Sequence, residues 1–162
     1  MAADKNQSII DYLSQCDAVK SNPLFFNFIS AKEDNKQIIT NSNEKILDKT
    51  FVDGSVLKRY TVTFIDFKSV VYQAIPKVPG YPNENVQELF DVQGILDWVN
   101  ENNRNRVFPD FGSDCDIQSI EALTDNPTLN GVDSNVSPPL AKYSFAIKVE
   151  YIDTTDVLWG KE

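Results

Sequence analysis

No histidine occurs in the 162 residues of this chain. That removes the commonest general base, the Ser-His-Asp and Cys-His arrangements for nucleophilic catalysis, and the commonest metal ligand. Cysteine is almost as scarce. Cys16 and Cys115 stand far apart without C-x-x-C spacing, so two reduced thiols are expected, not a disulfide framework. No apolar run approaches the roughly 18 residues a membrane-spanning helix needs. The opening segment MAADKNQSIIDYLSQ lacks the basic-then-apolar pattern of a secretory leader. Basic residues are outnumbered, 15 Lys and Arg against 24 Asp and Glu, for a net charge of −9. Such a balance argues against gripping nucleic acid through its phosphates, and it suits a wall past which nucleic acid moves without sticking. The expectation is a protein made and kept in a cytoplasm, or assembled there into something larger, with no membrane partner.

Hydrophobic residues make up 41% and charged residues 24%, ordinary usage for one globular domain, here residues 1–162. The organising stretch is 46–67, ILDKTFVDGSVLKRYTVTFIDF. Asp53, Gly54 and Ser55 form a turn signal between two β-prone runs. An Asp-Gly pair there predicts a type I′ hairpin turn with positive φ at both central residues. In the return arm Tyr60, Val62 and Phe64 share one face, and Thr61, Thr63 and Ile65 the other. The clearest alternation lies in 141–152, where Tyr143, Phe145, Ile147, Val149 and Tyr151 share a face.

Helical spacing marks residues 8–19, through Ile9, Ile10, Leu13 and Cys16, with Asn6 or Ser8 as cap. A longer helix is predicted over 83–103, capped by Asn83. Its apolar stripe is Val86, Leu89, Phe90, Val92, Leu96 and Val99, with Ile95 and Trp98 at the edge. Residues 24–31, dense in Phe, read as a buried strand. Residues 36–40 and 115–124 read as further strands, and 68–75 either extend the return arm or bend away. Segments 76–83 and 125–140, each with three prolines and a glycine, read as loops, the second long and exposed. Segment 152–162 reads as an extended tail whose Val157, Leu158 and Trp159 fold back on the sheet or dock on a neighbour. The sum is α+β: a single domain with a mostly antiparallel sheet and two helices packed on one face. Tyr60, Phe64, Phe90, Trp98, Tyr143 and Tyr151 are the expected core-packing residues.

Chemistry is sparsely signalled. The carboxylate pairs Asp114/Asp116 and Asp153/Asp156 have no apolar pocket written around them. The spacing of Asp110, Asp114 and Asp116 does not fit a calcium loop. No G-x-x-x-x-G-K-S loop or G-x-S-x-G elbow is present. Lys58-Arg59 reads as a solvated strand face, with an anion contact as the alternative. No catalytic residue, cofactor or metal is expected.

Four segments together resemble the tail-terminator (minor capsid) proteins of long-tailed phages and prophages of Gram-positive bacteria. They are the helix ending Leu13-Ser14-Gln15-Cys16-Asp17; the strand-turn-strand Phe51-Val52-Asp53-Gly54-Ser55 with Arg59-Tyr60 and Phe64; the Trp98 helix with Phe90, Leu96 and the following Pro109; and the run from Lys142-Tyr143 to Glu150-Tyr151. Their order and spacing carry the resemblance more than any one motif does. It implies a virion protein at the head-tail junction, assembled in the bacterial cytoplasm. There a ring, a homo-hexamer, ends tail-tube polymerisation, contacts the tail-tube and head-completion proteins, and lets DNA pass through its lumen without specific binding. Loop and tail residues Pro79, Tyr81, Asn130, Val132, Pro138 and Trp159 are the candidate partner contacts. Two rivals are another ring of the junction or of a phage-derived injection particle, and a small acidic inhibitor that mimics DNA.

Overall fold

A computed structural model describes residues 4–28, 31–40, 45–71, 80 and 83–155, with backbone pairing alone for 45–48. The elements run α1 (Lys5–Leu13), α2 (Asp17–Lys20), β1 (Leu24–Phe26), β2 (Lys36–Thr40), β3 (Lys45–Thr50), β4 (Val56–Ser69), α3 (Glu84–Arg104), β5 (Cys115–Ala122), β6 (Thr128–Asp133) and β7 (Leu140–Asp153). The architecture is α+β, a seven-stranded and mostly antiparallel sheet with its helices on one face.

The sheet grows outward from one ladder. β4 and β7 pair antiparallel along their whole length, from Val56 opposite Asp153 to Ser69 opposite Leu140. Strands β3 and β2 lie end to end along the outer side of β4 and both run antiparallel to it. Along the outer side of β7, β5 and β6 do the same. β1 adds a three-residue parallel pairing to β2.

Period-two patterning puts Tyr60, Val62 and Phe64 of β4 beside Val149, Ile147 and Phe145 of β7 on the helix-bearing face. Phe64 and Phe145 meet at 5.2 Å between ring centres. β5 reaches the same face through a bulge. The register slips between Ile117 and Ser119, so Ile117 and Ile120 both point inward although they are three apart. That slip is why the alternation in this segment looks weak. From the helices, Ile9, Tyr12, Leu13, Cys16 and Val19 meet Val92, Ile95, Leu96 and Val99 over the sheet. Each fully buried side chain of this size contributes about 1.5–3 kcal/mol.

The helix ends follow from side chains. Asn83 caps α3, its Oδ1 accepting from the N–H groups of Asn85 at 3.0 Å and Val86 at 3.2 Å. At the other helix Asp4, not Asn6 or Ser8, is the cap, accepting from Asn6 N–H at 2.9 Å. The expected single helix over 8–19 is broken in two. Ser14 Oγ donates to the Ile10 carbonyl at 2.7 Å and Cys16 is extended, so the local hydroxyl bond competes with the helical ladder.

The hairpin turn also differs from expectation. Gly54 has φ 94°, while Asp53 is not in the left-handed region. The loop closes through Gly54 N–H to the Phe51 carbonyl at 3.0 Å and Phe51 N–H to the Ser55 carbonyl at 2.8 Å. Asp53 uses its carboxylate instead, accepting from Ser55 N–H at 3.0 Å and Ser55 Oγ–H at 2.7 Å. Those bonds hold its pKa below the usual carboxylate range. This is a longer loop with one left-handed glycine, not a two-residue I′ turn.

Three further expectations are corrected. Phe90 is not a core residue: it is 64% exposed, and Val86 on the same stripe is exposed too. Phe90 lies two residues from buried Val92, roughly 200° around the helix. Of the strand expected over 24–31, β1 (Leu24–Phe26) is present; it stops before Asn27 (φ 50°), Phe28 is exposed, and residues 29–30 lie outside the described residues. The long loop expected over 125–140 contains β6. Trp98 is half-buried and packs on Tyr12, ring centres 5.1 Å apart. Tyr60, Phe64, Tyr143 and Tyr151 are buried. We therefore expect Phe90→Ser to change folding stability by about 0.5 kcal/mol or less in a denaturant titration, whereas a core Phe would lose several times that.

Candidate assembly interface

A sheet edge offers unpaired backbone donors and acceptors, so proteins close edges they do not use. In this chain the C-terminal part of β5 is closed by side chains from α3. Asn103 Oδ1 accepts from Ile120 N–H at 3.1 Å and Asn100 Oδ1 from Ala122 N–H at 3.0 Å. Two asparagines three apart on one helix thereby satisfy alternate donors of the strand. At the other flank β1 shields β2, and Asn27 finishes that pairing: its N–H donates to the Ile38 carbonyl at 2.9 Å and its Oδ1 accepts from Thr40 N–H at 2.9 Å.

β6 is treated differently. All six of its residues are exposed, and among the described residues it pairs with β7 alone. Leu129 is 52% and Val132 51% exposed. The pairing is irregular between these two residues, where Gly131 takes φ 138°, a backbone that a side chain would strain. Asn130 Nδ2 donates to Ser144 Oγ and holds the kink against β7. Beside the strand lies a groove of about 260 Å³ lined by Phe67, Asn130, Val132, Leu140 and Lys142. β3 likewise pairs only with β4 among the described residues, and its last residues Lys49 and Thr50 are exposed.

Of the candidate contact residues, Asn130 and Val132 are brought together on β6, and Pro138 is exposed in the connection to β7. Pro79, Tyr81 and Trp159 lie outside the described residues. Asp53, Gly54 and Ser55 stand at the far end of the ladder from β6. The carboxylate pairs do not converge. Asp116 is exposed on β5, and the Asp114 carbonyl accepts from Thr154 N–H at 2.8 Å. Asp153 meets Lys58 at 2.8 Å. Although burial works the other way, Lys58 and Thr155 hold the Asp153 pKa down at about 2. Asp156 lies outside the described residues. Among the described residues no group of three or more His, Cys, Asp or Glu is placed to hold a metal.

The main polar cluster lies under α3, and no motif announced it. Past Phe64 the helix-bearing face of β4 turns from apolar to charged at Asp66 and Lys68, with Lys36 of β2 opposite Asp66. All three are buried. Lys36 Nζ lies 3.1 Å from Asp66 Oδ2, and Lys68 Nζ lies 3.9 Å from the same oxygen. Neither Asp66 oxygen has a hydrogen bond of good geometry. Lys68 also donates to Asp34 at 2.6 Å and to Asp91 of α3. Lys36 sits 3.8 Å from Asp91. Two cations thus face three carboxylates. Burial pushes the Asp66 pKa up to about 6, against the pull of both lysines. Burial alone would lower Lys68, but Asp66, Asp34 and Asp91 outweigh it and hold the ammonium above the ordinary lysine value. The cluster pins the first half of α3 to the sheet. Its solvent side is formed by Asp34 and Asp91, whose side chains are 42% and 40% exposed.

Neither a protein-family description nor a curated protein matches this chain.

Proposed function

We propose that this chain is a structural subunit of a phage or prophage tail, a tail terminator that closes into a ring at the head-tail junction. One observation carries the reading: a fully exposed strand edge, β6, on a molecule that caps the C-terminal part of the neighbouring β5 edge with two asparagines. An edge left open beside a closed one marks a place kept for another strand. The resemblance in order and spacing described above supplies the class of assembly. The net charge of −9 suits a bore through which DNA slides, since like charges keep it from being arrested.

In this reading the ring is a homo-hexamer that caps the tail tube and then receives a head-completion protein. The working surfaces are strand edges and exposed apolar residues such as Phe90 and Val132. The chain acts by shape and charge. The test is native mass spectrometry and negative-stain microscopy across a wide concentration range, followed by addition of the ring to polymerising tail-tube protein. Closed rings that stop tube growth are expected. A chain that stays monomeric throughout, or a ring with a strongly basic bore, overturns the reading.

A further inference from the structure

We propose that β6 of one copy is completed by β3 of the next, so that one sheet continues antiparallel from subunit to subunit. The inference rests on the ring reading and names the contact that would build it.

Among the described residues the C-terminal part of β5 is capped by Asn100 and Asn103, and β2 is covered by β1. Among the described residues the six-residue strands left with one neighbour only are β3, paired with β4, and β6, paired with β7. They lie on opposite flanks of the sheet and at opposite ends of the β4–β7 ladder: β3 beside Val56 to Arg59, and β6 beside Leu140 to Ser144. A contact between two different edges is heterologous, the kind that propagates head to tail and closes into a ring when its rotation divides a full turn.

Strand direction fits. β3 is antiparallel to β4, β4 to β7, and β7 to β6, so β3 and β6 run opposite ways. A second copy placed beside the first with its helices on the same face therefore brings β3 to β6 antiparallel. Both strands have six residues.

Charge separates this pairing from its rival. From 125 to 133 the chain carries Asp125 and Asp133 and no Lys or Arg, whereas β3 carries Lys45 and Lys49 against Asp48. A symmetric β6–β6 contact in full antiparallel overlap sets Asp133 opposite Thr128 and supplies no basic partner for it. A β3–β6 contact in full overlap sets position 45, a lysine, opposite position 133, an aspartate, and opposite charges placed across from each other on neighbouring strands are favourable. The exposed Leu129 and Val132 and the groove beside Phe67 supply apolar area to cover.

Two variants test this in the full-length chain. In a Cys115→Ser background, Thr50→Cys and Thr128→Cys place thiols at the exposed end of β3 and the exposed start of β6, which antiparallel pairing brings side by side. A short bis-maleimide should link chains carrying both into a ladder of covalent oligomers, and chains carrying either one alone should stay uncrosslinked. Independently, Leu129→Lys with Val132→Lys should raise the concentration at which half the chain is assembled roughly tenfold or more, with the unfolding midpoint showing that the monomer still folds. Covalent dimers when Thr128→Cys is combined with Asp133→Cys instead of Thr50→Cys, positions that a symmetric β6–β6 contact sets opposite each other, would overturn the inference in favour of that contact. Wild-type rings that survive the double-lysine change and form no ladder would overturn it while leaving the ring reading standing. A wild-type chain that is monomeric at every concentration removes both.

Discussion

Lys68→Met is expected to cost about 3–5 kcal/mol of folding stability at pH 7, the range found when one partner of a buried charge cluster is removed. The side chain is buried and touches Asp34, Asp66 and Asp91. Without it three carboxylates share Lys36 alone, and Asp66, fully buried and without a well-formed hydrogen bond, is left with less compensation. The loss should shrink as the pH falls from 7 towards 4, because protonating Asp66 removes one of the three negative charges that then share Lys36. Adding Asp66→Asn should restore part of the loss at neutral pH. In the wild-type chain Asp66 titrates at about 6 when folded and near its ordinary value when unfolded. Its contribution to stability is therefore full below about pH 4. It declines as the pH rises across that window and is gone above about 6, as the stability difference between wild type and Asp66→Asn measured against pH would show. A Lys68→Met chain as stable as wild type at pH 7 would mean the cluster is hydrated and worth little.

Phe111→Ala should be about as damaging, about 3–5 kcal/mol by chemical denaturation. The residue is 1% exposed. Its ring sits edge-on between Tyr60 of β4, 5.4 Å away, and Tyr151 of β7, 5.5 Å away. Truncation would empty a site bounded by the ends of both central strands and by the segment after α3. Leu at the same position should recover much of the loss, since it refills volume even though it cannot reproduce the two edge-to-face contacts. A loss below about 1 kcal/mol would indicate that the surroundings collapse into the space.

The parts of this fold that were legible in the sequence are those where burial writes a period. Tyr60, Val62 and Phe64, and the run from Tyr143 to Tyr151, alternate because one side meets helices. Asn83 was legible because a cap needs a short acceptor just ahead of an apolar helix. Phe90 misled because its hydrophobicity was counted without its angle on the helix. β6 was hidden for a plainer reason: a strand with no buried face has no period, and its Asn130-Gly131 kink resembles a turn. Phe111 lies outside any regular element, where no pattern distinguishes a core aromatic from a surface one. The charged cluster broke the rule that charges point outward. Asp66 and Lys68 are in phase with Phe64, but only the pairing with Lys36 of β2 and the approach of Asp91 explain why they can be there. Of the candidate interface, Asn130 and Val132 were named as loop residues, and what the sequence withheld was that they share a strand. The asparagine pair that caps the end of β5 was equally silent, since nothing in the residue type at Asn100 and Asn103 marks a strand as its partner.

The central ladder has a consequence for how the chain is made. β4 ends at Ser69 and its partner β7 begins at Leu140, so a ribosome must add about 70 residues before the first pair can form. At roughly 5–20 residues per second that takes on the order of 4–15 s. During that interval the nascent hairpin shows its aromatic side to whatever passes. Synthesis order gives the later half some protection: α3 emerges before β5, so the asparagines are in place when the strand they seal arrives. Pairing between such remote segments also places this chain among slow folders, and its yield should depend on temperature and on chaperone supply more than on the final stability of the product.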